Sequence, residues 1–200
     1  MHQHLVLDIG NVICRWVPQK LVASVFDDEA DQARAIADVI DQPDWADLDR
    51  GTLSQDEAIK RACARSTLDP AGIAGIFDAL PPSLTVIDTT VEAMHEVRAA
   101  GRGMYVLSNM HHLAWAHLEK TYDFWHLFDG IVVSCQANFV KPNADIYEHL
   151  CKRFSLEPQQ CYFIDDMAKN VQAAIDCGWL SEQLTDTAKG GDMIRRWLNS

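Results

Sequence analysis

Four short apolar runs in this sequence each lead to residues that can do chemistry. Asp8 follows His4–Leu7, Ser108 and Asn109 follow Met104–Leu107, Lys141 lies shortly after Ile131–Ser134, and Asp165 and Asp166 follow Cys161–Ile164. Carboxylate oxygens are the ligands that hard divalent cations prefer. One such cation, one lysine and a few backbone N–H groups can together bind a phosphate, even in a protein of negative overall charge.

The four runs are too continuously apolar to have a face in water, which is typical of parallel strands covered on both sides. Parallel strands point the same way, so their carboxyl ends meet at one edge of the sheet. Taken alone, an aspartate after a strand is usually a turn or a helix cap, and a lysine is usually solvated. Four such endings in one chain are hard to explain as caps, and we expect them to form one site.

Helical patterns lie between the runs, and this alternation predicts an α/β fold with a Rossmann-like parallel sheet sandwiched by helices. The helices are predicted at Asp88–Ala100 (with Asp88 or Thr89 as N-cap), Asn143–Phe154 and Met167–Cys177. A fifth strand is expected within Trp179–Leu184, where polar residues dilute the apolar character, and Met193–Leu198 is expected to form a closing helix.

Residues 18–80 break the alternation, because their patterns are helical only. Helices are predicted at Pro18–Phe26, Asp28–Ile40, Gln55–Arg65 and Ala71–Leu80, with Pro81-Pro82 ending the last of them. In open α/β folds ligands bind beyond the carboxyl ends of the strands, so a helical bundle inserted after the first strand would lie over that site. We therefore predict a core of residues 1–14 and 83–200 and a helical-bundle cap of residues 15–82.

The length of the chain indicates the size of the fold, and its net charge argues against some binding surfaces. A chain of 200 residues can form a large core with a small insertion. Its formal net charge of -12 argues against a nucleic-acid or anionic-membrane surface, since both require Lys and Arg patches. The six cysteines form no CxxC pair and fit no zinc spacing. With no signal peptide or membrane span at the N-terminus, we expect reduced thiols and a cytoplasmic location.

The order of the motifs resembles the haloacid dehalogenase (HAD) superfamily. The resemblance rests on D-I-G-N-V at 8–12, V-L-S-N at 106–109, K-P-N-A-D-I-Y at 141–147 and F-I-D-D-M-A-K-N at 163–170. It covers essentially the whole chain. The helical insertion is similar to the cap of subclass I, and D-I-G-N-V is similar to the first motif of the branch that includes sugar-1-phosphate phosphatases. The resemblance implies a phosphatase of a small phosphorylated metabolite, with a sugar phosphate as the expected substrate.

The resemblance also implies a role for each site residue. Asp8 would be the nucleophile and form an aspartyl-phosphate. Mg²⁺ would be held by Asp8, the Gly10 carbonyl, Asp165 and Asp166, with Asp166 favoured as the direct ligand and Asn170 orienting the acidic pair. The phosphate would contact Gly10, Asn11, Ser108, Asn109 and Lys141. Lys141 would also neutralise Asp8, so that catalysis is positioning plus electrostatics.

One position departs from the resemblance. Phosphatases of this superfamily usually carry a second aspartate two residues after the nucleophile, which protonates the leaving oxygen and later activates water. Here that position is Gly10. Loss of a general acid/base is expected to cost about 10²–10⁴-fold in rate.

Three interpretations of this departure stay open. The protein is a phosphatase with an undemanding leaving group or another proton donor, a 2-haloacid dehalogenase-type hydrolase whose halide needs no proton, or a weakened phospholigand-binding or regulatory protein. Asp165-Asp166 argues against the dehalogenase, because members of that branch need no metal. The intact Asp8, Lys141 and acidic pair argue against full decay, because such charges are costly to cluster without a ligand.

Several neighbouring residues could complete the site. His111 or His112, directly after Ser108-Asn109, could supply the missing proton, and Cys14 and Arg15 are weaker candidates. Trp16 could line the entrance.

In the cap, D-L-D-R-G-T-L-S at 47–54 resembles a segment of related caps. Trp45, Asp49 and Arg50 are expected to precede Gly51 within a turn between cap helices. Trp45 is expected to pack the bundle, and contact of Arg50 with a sugar or second anion is a hypothesis. An aromatic stretch is expected to pack in the core, with a dimer surface as the alternative, and it consists of Trp115, Tyr122, Phe124 and Trp125.

Overall fold

The computed structural model describes residues 4–200 and contains one parallel sheet of five strands in the order β3-β2-β1-β4-β5. The strands are β1 (His4–Leu7), β2 (Gly103–Ser108), β3 (Gly130–Val133), β4 (Cys161–Asp165) and β5 (Leu180–Gln183). Leu7 of β1 lies beside Val106 of β2 and Ile164 of β4, so the three strands reach the same edge in register. The predicted α/β class and parallel sheet are confirmed.

Helices cover both faces of the sheet. Those that follow β1 and the cap are α6 (Asp88–Ala99), α7 (His112–Thr121), α8 (Ser134–Ala137), α9 (Ala144–Phe154), α10 (Ala168–Asp176) and α11 (Gly190–Leu198). Leu5 and Leu7 pack on the face that carries α6 and α11, whereas Val6 packs on the face that carries α9 and α10. All three side chains are fully buried, which explains why β1 has no polar face.

Apart from two isolated β-bridges made by Cys14, the regular structure between β1 and α6 is helical. Its helices are α1 (Pro18–Ala23), α2 (Glu29–Ala35) continuing into a π-helical turn (Ile36–Ile40), α3 (Pro43–Arg50), α4 (Gln55–Arg65) and α5 (Pro70–Ser83). Helix α4 has the predicted bounds, because Ser54 caps it by accepting a hydrogen bond from the Glu57 N–H at 3.3 Å. We keep the name cap for residues 15–82; the division into cap and core stays a prediction.

Two predictions about the cap were wrong. Residues 43–50 form helix α3 rather than a turn, since Pro43 begins it and Gly51 ends it in the left-handed region at φ 77°. The sequence did not predict this helix because Leu48 is its only buried residue, so apolar residues do not recur at helical spacing. Pro81 and Pro82 lie inside the end of α5 rather than ending it, because the fixed φ of proline is compatible with a helix.

The C-terminal elements differ from their sequence patterns for packing reasons. Strand β5 lies at the edge of the sheet and pairs only with β4, so its residues are half-buried or exposed and need little apolar character. Helix α11 begins three residues earlier than predicted, at Gly190. A Cβ on Gly191 would lie 2.3 Å from the carbonyl oxygen of Thr89, so glycine is needed for the approach of α11 to α6. Neither Asp88 nor Thr89 caps α6, whose N-cap is Ile87.

The end of α3 packs closely on α8, and one substitution tests this contact. A Cβ on Gly51 would lie 2.4 Å from the carbonyl oxygen of Cys135, and φ at Gly51 is +77°. We expect Gly51→Ala to lower the free energy of unfolding by about 3 kcal/mol or more, since the left-handed backbone alone costs roughly 1–2 kcal/mol.

Gly101→Ala is the matched control for this substitution. Its φ is +70°, but no described atom beyond its chain neighbours lies within 4 Å of the new Cβ. Urea unfolding of both variants separates the backbone cost from the steric cost. Equal destabilisation by Gly51→Ala and Gly101→Ala would show that the contact between α3 and α8 has room for a Cβ at position 51.

Within residues 4–200, no helix combines the length and the apolar character needed to cross a membrane.

Candidate active site

The ends of β1 and β4 bring two aspartates to one lysine. Lys141 Nζ lies 2.9 Å from Asp8 Oδ1 and 2.6 Å from Asp165 Oδ2. All three side chains are buried, at 7% exposure or less, so their charges act on one another with little screening by water. The structure therefore brings together the first, third and fourth motifs predicted from the sequence.

Asp165 and Asp166 are held in different ways. Asp165 accepts hydrogen bonds from Asn170 Nδ2 at 3.0 and 3.1 Å and from the Met167 N–H at 2.8 Å, in addition to the ion pair with Lys141. Asp166 is half-buried and accepts one hydrogen bond, from Asn11 Nδ2 at 2.9 Å. The carboxylate of Asp165 is thus fully engaged by the protein, whereas that of Asp166 has capacity for another partner.

Burial and charge shift the ionisation of this cluster. Burial raises the pKa of Asp8 to about 7, Lys141 opposes the increase, and Asp165 adds to it. Burial disfavours the charge on Lys141, but the carboxylates of Asp165 and Asp8 prevail and hold its pKa above the usual value. Burial also raises the pKa of Asp166, which the hydrogen bond from Asn11 opposes. The cluster therefore carries more negative charge than one lysine can balance.

The acidic groups fit a magnesium ion. One carboxylate oxygen from each of Asp8, Asp165 and Asp166 lies within 4.8 Å of the others. All the donors are oxygens, as a hard divalent cation requires, and the site lacks the His and Cys ligands typical of zinc among the described residues.

The second motif places a hydroxyl and an amide at the same edge. Ser108 Oγ is buried, and no hydrogen-bond partner for it exists among residues 4–200. Such an orphan polar atom is costly unless a ligand or water meets it. The Asn109 side chain donates to the Lys141 carbonyl at 2.9 Å and accepts from the Lys141 N–H at 2.8 Å. Its amide thus positions Lys141, and any contact with phosphate is left to its backbone.

Asn11 also uses its side chain within the protein. Its Nδ2 donates to Asp166, and its Oδ1 accepts from the Trp16 N–H at 2.9 Å. Asn11 has φ 54°, a left-handed conformation that Asn tolerates better than most residues. Asn11 therefore connects the first motif to Asp166 and to the start of the cap.

A cavity of about 300 Å³ opens above this edge of the sheet. Its polar lining comes mainly from the strand ends and the loops that follow them: Asp8, Asn109, Lys141, Asp166, Lys169 and Asn170. Its apolar lining comes mostly from the cap and the segments next to it: Trp16, Ile40, Trp45, Leu80, Leu84, Met110 and Ala114. Trp16 and Trp45 stack with their ring centroids 5.9 Å apart. A ligand here would place its charged end on the sheet edge and its remainder against apolar walls.

Of the candidate proton donors, only His111 lines the cavity. Burial lowers the pKa of His111 to about 4, with the charge of His112 adding to the decrease. The imidazole is therefore neutral near pH 7, and its remaining N–H is too weak an acid to protonate a leaving oxygen effectively. His112 is exposed at the start of α7. Burial raises the pKa of the Cys14 thiol to about 12, so it stays protonated and inert.

The cavity also contains a carboxyl group that sequence reasoning assigned only to a turn. Asp49, in the last turn of α3, lines the cavity together with Asp8 and Lys141. Burial raises the pKa of Asp49 to about 7, and the negative charge of Asp8 adds to the increase. The neighbouring Arg50 points elsewhere, since its guanidinium lies 2.5 Å from Asp47 and it is not among the cavity residues. The hypothesis of a ligand contact for Arg50 is therefore not supported.

The aromatic stretch after the second motif packs in the core as predicted. Trp115 and Trp125 meet edge to face with their centroids 4.9 Å apart, and Trp125 Nε1 donates to the Leu118 carbonyl at 2.9 Å. Phe124 is buried beside them.

Comparison with known proteins gives relatives along nearly the full chain. A sesquiterpene phosphatase of Aspergillus oryzae is 25% identical over 182 residues, which are 91% of this chain and 89% of that protein. A HAD-like family hydrolase from Porphyromonas gingivalis has a similar structure, with a TM-score of 0.73, 21% identity, and coverage of 100% of this chain and 99% of that one.

A second solved structure shares the fold. It is a HAD family enzyme from Bacteroides thetaiotaomicron, an aspartate-to-alanine mutant in complex with magnesium and inorganic phosphate. The TM-score is 0.72 at 16% identity, and the match covers 90% of this chain and 93% of that one. A family model described as haloacid dehalogenase-like hydrolase matches residues 4–178, and the chain therefore belongs to the haloacid dehalogenase-like hydrolases.

Proposed function

We propose that this protein is a Mg²⁺-dependent phosphatase of small phosphate monoesters that uses Asp8 as its nucleophile. The cluster of Asp8, Asp165 and Asp166 around Lys141 carries the proposal, because it needs both a cation and an anion to balance its charges. Asp8, Asp166 and the Gly10 carbonyl would hold Mg²⁺, with Asp165 as the partner of Asp166. Bound Mg²⁺ would neutralise charge on the phosphoryl oxygens and allow a carboxylate to approach them.

The described side chains fit the remaining roles in the reaction. The carboxylate of Asp8 attacks phosphorus, the bond to the leaving oxygen breaks, and an aspartyl-phosphate forms that water then hydrolyses. Lys141, the orphan hydroxyl of Ser108 and the Asn109 N–H hold the phosphoryl oxygens, with Gly10 and Asn11 beside them. Asn170 fixes Asp165 through its two hydrogen bonds. These roles stabilise the charge that develops in the transition state.

The two alternatives fit these observations less well. A dehalogenase needs no metal, and a clustered third carboxylate such as Asp166 would only repel its anionic substrate. A degraded binding protein would gain nothing from the buried Lys141 with its two ion pairs, since burying charges is costly. Metal-dependent release of phosphate from p-nitrophenyl phosphate supports the phosphatase. Chloride release from a 2-haloacid without metal would overturn it in favour of the dehalogenase.

The organic part of the substrate is a separate question. A sugar phosphate, the class expected from the sequence, would present hydroxyls to the walls. The walls instead carry Trp16, Ile40, Trp45 and Leu80, which favour a second candidate, the phosphate ester of an apolar alcohol. The 25% identity with a sesquiterpene phosphatase supports the same candidate. A screen for phosphate release from sugar phosphates and from prenyl or alkyl phosphates with Mg²⁺ separates the two classes.

Substitution of Trp45 tests which class the walls recognise. We expect Trp45→Ala to raise KM for a prenyl phosphate about tenfold or more, because removal of a buried aromatic surface costs at least about 1.4 kcal/mol of binding. Trp45→Phe, which keeps the stacking surface, is the matched variant and is expected to change KM much less. A larger effect on a sugar phosphate than on a prenyl phosphate would favour the sugar class.

A further inference from the structure

The position two residues after Asp8 has room for a side chain but none is present. A Cβ built on Gly10 meets a single described atom outside its chain neighbours within 4 Å, Trp16 Cβ at 3.9 Å. The sheet edge thus offers no acid to the leaving oxygen at this position. The cap supplies a carboxyl group to the same cavity from α3, that of Asp49. We propose that Asp49 is the general acid and base that completes this site, an assignment that rests on the proposed phosphatase function.

Asp49 is fixed in place by contacts between the cap and the core. The backbone N–H of His111 lies close enough to its carboxyl group to lower the pKa of that group. Its own carbonyl accepts from Ser134 Oγ, and the carbonyl of Arg50 accepts from Asn138 Nδ2 at 3.0 Å. Gly51 then packs against the backbone of Cys135. These contacts fix the last turn of α3, so Asp49 is held in the cavity that Asp8 also lines, as a proton carrier must be.

The surroundings of Asp49 suit both halves of the reaction. Burial and the charge of Asp8 raise the pKa of Asp49 to about 7, while the His111 N–H and the charge of Lys141 oppose the increase. Burial raises the pKa of the Cys135 thiol on α8 to about 11, with the charge of Asp49 adding to the increase, so this thiol is neutral. The ring of His111 is neutral as well. Near pH 7 both the acid and the base form of Asp49 are therefore populated, as alternating proton transfer requires.

Asp49 gives up one proton in the first step of the reaction and regains one in the second. In the first step Asp8 attacks phosphorus, the bond from phosphorus to the leaving oxygen breaks, and that oxygen takes the proton of neutral Asp49. The products are a free alcohol, the aspartyl-phosphate and ionised Asp49. In the second step ionised Asp49 takes a proton from water, the water oxygen bonds to phosphorus, and the bond to Asp8 breaks. Inorganic phosphate leaves, and Asp8 and Asp49 return to their initial forms.

The dependence on the leaving group tests this assignment. Asp49→Asn keeps an oxygen that can accept the His111 N–H but carries no transferable proton. In single-turnover measurements of the first step, we expect it to slow the release of hexanol from hexyl phosphate about 10²–10³-fold, because the alkoxide leaves poorly without a proton. The leaving group of p-nitrophenyl phosphate needs little protonation, so we expect its release to slow by less than about tenfold. The second step, in which Asp49 is the base, is expected to slow equally for both esters. Asp47→Asn, on the same helix but away from the cavity, is the matched control.

Two further measurements make the outcome decisive. Gly10→Asp in the Asp49→Asn background is expected to recover activity on hexyl phosphate, because it returns an acid to the site. In a ¹³C NMR titration of the protein without metal, two carboxyls are expected to titrate near pH 7, those of Asp8 and Asp49, and Asp49→Asn is expected to remove one of them.

The failures of the two proposals are distinguishable. If wild-type protein with Mg²⁺ releases phosphate from both esters but Asp49→Asn slows the first step equally for both or for neither, the Asp49 assignment is wrong. A leaving-group dependence that appears in His111→Gln instead would transfer the role to His111. A wild-type protein that hydrolyses neither ester would overturn the proposed function and this assignment with it.

Discussion

Asp8→Asn is expected to abolish Mg²⁺-dependent phosphate release while the protein stays folded. The amide cannot act as the nucleophile, and loss of a nucleophile lowers kcat by about 10⁴-fold or more. The substitution keeps the size of the side chain and the oxygen that accepts the Ile9 N–H at 2.7 Å. Lys141 retains its ion pair with Asp165 at 2.6 Å. The site therefore loses its chemistry without losing its geometry.

The same substitution is expected to stabilise the metal-free protein at pH 8. The pKa of Asp8 is raised to about 7 in the folded protein, above its ordinary value of 3.8, so the folded state binds the proton more tightly than the unfolded state. Stability from this group is present at low pH and is lost as the pH rises from about 4 through 7. An uncharged asparagine avoids that loss. We expect a gain of about 1–3 kcal/mol at pH 8, seen as a rise in Tm, and little gain at pH 4.

Kinetics and thermal melts of one pair of variants check both effects. Asp78→Asn, an exposed aspartate on α5, is the matched control and is expected to change neither. Residual Mg²⁺-dependent turnover within tenfold of wild type in Asp8→Asn would contradict the nucleophile assignment. A Tm of Asp8→Asn below that of wild type at pH 8 would contradict the inference that the buried, ionised Asp8 carboxylate destabilises the metal-free protein.

The sheet was predictable from the sequence because its strands are buried on both faces. Such strands require continuous apolar runs, and β1 was predicted with the bounds His4–Leu7 that it has. The polar residues at the strand ends were also predictable, since a parallel sheet brings those ends together whatever the loops do. The order of the strands and the edge position of β5 were not predictable. Both depend on which strands are neighbours in the sheet, and the residues of a single strand do not specify its neighbours.

The part of the site contributed by the cap was harder to predict. Helix α3 has one buried residue, Leu48, so the hydrophobic period that reveals a helix is missing. Asp49 gained its environment from residues far away in sequence: Asp8, Lys141 and the His111 N–H. A sequence pattern gives the spacing along one helix but not which side chain faces a distant strand end. The first motif showed that an acid was missing, and only the packing of α3 indicated a replacement.

Lys141→Met is expected to destabilise the metal-free protein strongly at pH 8. Lys141 is 3% exposed and is paired with Asp8 and Asp165, so its removal leaves buried carboxylates without a cation. Removal of one partner from a buried ion pair costs about 3–5 kcal/mol. The cost is expected to shrink as the pH falls below 7, because Lys141 lowers the pKa of Asp8 and its loss lets that carboxyl take up a proton more readily. Loss of the phosphate-holding charge is expected to lower kcat about 10²–10³-fold with Mg²⁺.

A double variant separates the effect of the Lys141 charge from the effect of its packing. Lys141→Met with Asp8→Asn is expected to recover about 1–2 kcal/mol of the lost stability, since one unbalanced carboxylate is gone. Mg²⁺ is expected to raise the Tm of Lys141→Met more than that of wild type, because the cation meets a more negative cluster and no competing ammonium. Lys169→Met, an exposed lysine at the same cavity, is the control and is expected to change stability by less than about 0.5 kcal/mol. If the double variant is no more stable than Lys141→Met and Mg²⁺ stabilises both proteins equally, Lys141 contributes packing rather than charge, and the cluster does not require a cation.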